Sequence, residues 1–121
     1  MAEKTVLIVE DNPMNMELLV DWLTAKEYRV LQAMNAPDGL ELARDQVPDL
    51  VFMDIALPGM DGVEATRQLK LDERTKEIPV IAITASSMRV DREKLAEAGC
   101  YAVILKPVDF ALLDRTMKEV L

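Results

Sequence analysis

Apolar residues along the 121-residue chain follow two alternating rhythms. Short runs rich in branched aliphatics occupy positions 6–9, 28–31, 50–53, 80–83 and 102–105. Each is too short and too uniformly apolar for a surface helix, and predicts a strand covered on both faces. Between them the spacing turns helical. Asn12 is placed to cap a helix with Pro13 at its first position, and Met16, Leu19, Val20 and Leu23 then fall at i, i+3, i+4 and i+7. Leu40, Ala43 and Val47 form a second, weaker stripe that ends before Pro48. Gly62 opens a third helix with Val63, Thr66 and Leu69 inward. A fourth is expected over 88–98, closed by Gly99. Asp109 caps a fifth, with Val108 and Leu113 placed as a hydrophobic staple and Phe110, Leu113 and Met117 as its apolar stripe.

Strictly alternating strand and helix predict an α/β fold, (βα)5, with a doubly wound five-stranded parallel sheet and right-handed crossovers. Five strands fit the flavodoxin-like order 2-1-3-4-5, in which chemistry sits at the carboxyl ends of the strands where the order reverses. No linker, repeat or low-complexity stretch interrupts the pattern, so residues 1–121 are expected to form one domain.

The sequence tests that rule directly. Glu10 and Asp11 follow the first predicted strand, Asp54 the third, Thr84 the fourth and Lys106 the fifth, while the strand interiors are apolar. Taken singly, each has a plainer reading: a helix-cap acid, a loop charge, a β-former ending its strand, a solvent-facing lysine before proline. Together the plain readings weaken. The predicted fold brings three carboxylates within several Å of one another with Lys106 alone to balance them, and such a cluster is costly unless a cation or a proton relieves it. A divalent-cation site beside a lysine is the economical reading.

Composition narrows the alternatives. Fourteen basic against 22 acidic side chains leave a formal charge of −8, which argues against a nucleic-acid backbone or an anionic lipid surface as partner. No apolar run approaches the ~20 residues that span a bilayer, and the MAEKT start lacks the apolar region of a signal peptide. The single cysteine, Cys100, excludes an internal disulfide and fits a reducing, cytoplasmic setting; its placement reads as a small buried apolar residue. The eight methionines read as core fillers, with Met60 and Met88 in rim loops as candidates for a partner surface, and Trp22 borders the first helical stripe.

The stretches LIVEDNPMNMELL, DLVFMDIALPGMDG, IPVIAITA and AVILKPVD, in this order and at these separations, resemble the receiver domain of two-component response regulators over essentially the whole chain. The resemblance is greatest to single-domain regulators, and receivers of hybrid kinases share the DNxxN stretch at positions 11–15; a stand-alone regulator beginning at Met1, with no output domain, is expected in preference to a receiver cut from a longer protein. It implies that Asp54 is the phosphoacceptor. It implies that Glu10, Asp11, Asp54 and the backbone carbonyl of Ala56 hold Mg2+, that Lys106 pairs with the carboxylate and then with the phosphoryl oxygens, and that Thr84 donates its hydroxyl to the phosphoryl group. It implies a cis Lys106–Pro107 bond, a tight loop through Pro58, Gly59 and Gly62, and a histidine kinase or histidine phosphotransferase as donor, docking near the first helix and the rim loops. A downstream target would use the face of helix 4, strand 5 and helix 5, with a homodimer possible on activation.

One position departs from the family pattern. Receivers carry Tyr or Phe three residues before the lysine, and here that residue is Val103. Tyr101 lies two residues earlier, about 6–7 Å back along a regular strand, too far to replace it. Either the domain switches through Thr84 and its loop alone, or it has become an interaction module with muted or phosphate-independent switching. The intact phosphorylation set favours the first. An aspartyl-phosphate phosphatase needs an acid two residues after the nucleophile, where this chain has Ala56, and it would need a cap insertion. A flavin carrier of this fold needs a phosphate-cradling loop where this chain has Glu10 and Asp11. The chain is therefore expected to be no enzyme beyond its own phosphorylation and dephosphorylation.

Overall fold

The structure, a computed structural model, describes residues 3–55, 60–85 and 92–121. Ten elements alternate along it: β1 Thr5–Val9, α1 Pro13–Ala25, β2 Arg29–Ala33, α2 Ala36–Gln46, β3 Leu50–Asp54, α3 Gly62–Leu71, β4 Val80–Ala85, α4 Arg92–Ala98, β5 Ala102–Lys106 and α5 Phe110–Val120. All four strand pairings are parallel and the order is β2-β1-β3-β4-β5, as expected.

The helices start where the sequence supplies a cap. Asn12 accepts hydrogen bonds from the N–H groups of Met14 and Asn15, Asp61 from that of Glu64, and Asp109 from those of Ala111 and Leu112. These satisfy N–H groups that a helix leaves without internal partners. Two apolar layers then sandwich the sheet. On one face Met16, Leu19 and Leu23 of α1 and Leu113 and Met117 of α5 pack on Val6, Ile8, Phe52, Ile81 and Ile83. On the other, Leu40 and Ala43 of α2 and Ala65 and Leu69 of α3 pack on Leu7, Val9, Val51 and Met53. A smaller cluster joins Leu95 of α4 to Ile55 and Ala82.

Several expectations are corrected. Val47 does not join the inward stripe of α2; it is half exposed and left-handed (φ 43°), and ends the helix. Full coverage holds for β1, β3 and β4, whereas β2 and β5 lie at the sheet edges and keep exposed positions, because an edge strand has neighbours on one side only. β3, β4 and β5 run one or two residues further than the apolar runs, so Asp54, Thr84 and Lys106 are the last or near-last strand residues rather than loop residues. The expected start of the fourth helix, Met88 included, lies outside the described residues; its close at Gly99 stands, with φ 108°.

Candidate functional site

Register alone brings the acids together. Val9 pairs with Met53, so Glu10 and Asp54, the next residue on each chain, emerge side by side at the carboxyl end of the sheet. Asp54 pairs in turn with Ile83, and Ala85 with Lys106, which sets Thr84 and the lysine at the same rim. Glu10, Asp54 and Thr84 are buried, at 2%, 5% and 0% exposure, whereas Asp11 is exposed. One carboxylate oxygen from each of Glu10, Asp11 and Asp54 lies within 4.8 Å of the others.

Lys106 reaches into this cluster. Its Nζ donates to Glu10 Oε1 at 2.9 Å and stands 3.5 Å from Asp54 Oδ2. The Asn12 N–H donates to the other Glu10 oxygen at 3.2 Å. The Lys106–Pro107 peptide bond is cis.

The electrostatics show the cost of this crowding. Burial, together with a hydrogen bond to Asp54, raises the Glu10 pKa from 4.5 to about 7, against the opposing pull of Lys106 and the Asn12 N–H. Burial pushes the Lys106 ammonium down, yet its bond to Glu10 and the charges of Asp54 and Glu10 outweigh that and leave it raised. A buried carboxyl group in contact with a second one, its pKa raised toward neutrality, is a setting that a nearby cation relieves. The three donors gathered among the described residues are all carboxylate oxygens, which fits a hard divalent cation such as magnesium.

Glu10, Asp11, Asp54 and Lys106 are thus gathered as the sequence predicted, and Thr84 stands buried one residue beyond the strand partner of Asp54. Ala56, Pro58 and Gly59 lie outside the described residues. Two features escaped the sequence. The nearer partner of Lys106 is Glu10 rather than Asp54, although two strands separate β1 from β5; only the reach of a long side chain across the rim makes that pairing. Gly62 at the start of α3 sits against the Asp54 carbonyl, a contact that a lone glycine in a sequence does not announce.

Comparison with known proteins gives matches over nearly the whole chain. The family model of the response regulator receiver domain matches residues 6–118. The polar-differentiation response regulator DivK of Brucella anthropi is 43% identical over 118 residues, covering 98% of this chain and 96% of that protein. The receiver domain of a Pseudomonas aeruginosa sensor histidine kinase, solved with a magnesium ion in its active-site cleft, superposes with a TM-score of 0.89 at 34% identity and 98% coverage of both chains. The receiver domain of the Saccharomyces cerevisiae response regulator Ssk1, crystallised with the histidine phosphotransfer protein Ypd1, gives 0.88 at 28% identity, covering 98% of this chain and 88% of that one.

Proposed function

This chain belongs to the response regulator receiver domain family, and from that premise we propose that it takes a phosphoryl group onto Asp54 and passes the signal on through a changed partner surface. The observation that supports this reading above others is a buried Asp54 in contact with a second carboxyl group and within reach of a single lysine. A carboxylate held there has its nucleophilic oxygen fixed by strand pairing rather than left on a mobile loop. An Asp54 oxygen attacks phosphorus, the bond from phosphorus to the donor's imidazole nitrogen breaks, and its electron pair remains on that nitrogen. The product is an acyl phosphate.

Glu10, Asp11, Asp54 and the Ala56 carbonyl would hold magnesium, whose chemistry when bound is to offset negative charge between the carboxylate and the phosphoryl oxygens. Lys106 follows the charge: it balances Glu10 and Asp54 before transfer and the phosphoryl oxygens after it. Thr84 donates its hydroxyl to the same group. The phosphoryl group brings roughly −1.5 to −2 charge to this rim in place of the single negative charge of the Asp54 carboxylate, a net gain of about one negative charge or less, and β4 and β5 carry its consequences outward. Val103 is half-buried against the small cluster of Ile55, Ala82 and Leu95, so no aromatic swings there; the readout runs through Thr84 and the segment after β4.

A histidine kinase or phosphotransfer protein is the donor. Met14 and Leu18, apolar and 79% and 54% exposed on α1 beside the rim, offer it a landing surface. Tyr101, Leu105 and Leu112 on the β5 and α5 side offer one to a downstream target or to a second copy. Among the described residues no helix is long and apolar enough to cross a membrane, and the cytoplasm is the compartment that suits this role. Val103 favours one competing reading, a module whose partner binding ignores phosphate.

Incubation with phosphoramidate and Mg2+ should add one phosphoryl group to the wild type, read by intact mass, and none to Asp54→Asn. Label that persists in Asp54→Asn would refute the acceptor assignment. Equal partner capture by the phosphorylated and unmodified protein would favour the phosphate-independent module.

A further inference from the structure

Gly62 is the first residue of α3 and the place where that helix meets the backbone of the acceptor strand. A Cβ built on it would lie 2.5 Å from the Asp54 carbonyl oxygen and 2.8 Å from Ile55 Cα, with the Ile55 side chain at 2.9 Å. The first two are backbone atoms locked into the sheet: the Ile55 N–H donates to the Ile83 carbonyl at 3.2 Å, and Asp54 is in register with Ile83. The Gly62 N–H donates back to the Ile55 carbonyl at 3.2 Å. From the helix side, the buried Thr66 hydroxyl donates to the Gly62 carbonyl at 2.7 Å.

Nothing in the local backbone requires glycine. Among the glycines of the described residues only Gly99 has a positive φ. In a helix, alanine is the better choice. The absence of a side chain at 62 is explained by the close approach alone. From this we infer that Gly62, held by Thr66, is a positioning residue for Asp54: a bare helix start pressed onto the acceptor's own peptide fixes where its carboxylate stands relative to Glu10 and Lys106. This rests on Asp54 being the acceptor. A methyl group at 62 must push the Asp54–Ile55 peptide or the start of α3 away by about 0.5–1 Å to reach an ordinary contact. A shift on that scale at a reacting group can cost up to ~10²-fold in rate.

The test compares full-length wild type, Gly62→Ala, Thr66→Val, Thr66→Ser, Leu69→Ala and Asp54→Asn. Each is incubated with phosphoramidate at saturating Mg2+, with the initial labelling rate expressed per folded molecule by circular dichroism. Gly62→Ala should label at least about tenfold more slowly. Leu69→Ala, which opens a cavity on the inner face of α3 away from the rim, should lose melting temperature but keep the wild-type rate. Thr66→Val should slow labelling and Thr66→Ser should restore it, a split that loss of packing alone does not produce. Should Gly62→Ala fail to fold, the Val/Ser pair decides. A wild-type rate in folded Gly62→Ala, or equal rates for Thr66→Val and Thr66→Ser, overturns the positioning role while leaving the acceptor assignment intact. Label on Asp54→Asn removes the acceptor assignment and this inference with it.

Discussion

At the scale of single residues the site, among the described residues, sets three acids against one lysine. Among the described residues Glu10 and Asp54 share a buried contact beside Lys106, and burial first, then Asp54, works against an ionised Glu10. Asp54→Asn keeps the shape and removes one charge. Its metal-free form should be more stable than wild type, because the part of the Glu10 shift that comes from Asp54 is removed while the larger part, burial, stays. Urea denaturation in EDTA measures it, and the variant should gain less stability from added Mg2+ than the wild type does. A variant no more stable than wild type in EDTA would mean the acids are not under strain. Cys100 carries a related lesson. Its thiol packs on the Thr66 hydroxyl at 3.8 Å, and burial raises its pKa. It should alkylate slowly with iodoacetamide at neutral pH in the native protein and quickly in denaturant.

At the scale of elements, helix starts and strand register do most of the placing. α5 owes its first turn to Asp109, whose carboxylate accepts from Ala111 N–H at 3.0 Å and Leu112 N–H at 3.2 Å. Asp109→Ala should cost about 1 kcal/mol, or about 3–5 °C in melting temperature, with Asp109→Asn close to wild type. The helix packs through Leu113 and Met117 while Phe110 meets Trp22 ring to ring at 5.0 Å, so the turn that holds β5 and Lys106 is anchored from both sides. Much of this was legible in the sequence, because capping residues and i, i+3, i+4 spacing are local signals. Val47 was not: an apolar residue at the right phase, it ends a helix before Pro48 and turns outward, since proline disfavours helical backbone at the residue before it. The outer positions of β2 and β5 were not legible either, because an apolar run does not say whether its strand lies at an edge.

At the scale of the molecule, a net charge of −8 spreads over a domain whose expected radius of gyration is about 13–14 Å. The Debye length falls from ~30 Å at 0.01 M salt to ~8 Å at 0.15 M, from well beyond that radius to inside it. General repulsion should therefore be screened across this range, and the melting temperature in EDTA should rise with NaCl. A fall would show that local ion pairs such as Lys26–Asp114 and Arg44–Asp72 outweigh the global field.

Local order was written in the chain itself. Short, uniformly apolar runs, helical stripes, caps and the recurrence of polar residues after apolar strands sufficed for a (βα)5 parallel sheet and for Glu10, Asp11, Asp54, Thr84 and Lys106 at one end of it, because each of these is a statement about neighbours in sequence. What the tertiary structure alone decided are distances between residues far apart in the chain: that Lys106 lies nearer Glu10 than Asp54, that Glu10 is buried deeply enough to hold a proton near pH 7, and that Gly62 closes on the Asp54 carbonyl. These depend on where the twist of a packed sheet and the tilt of a helix bring atoms to within an ångström, and no local pattern encodes that.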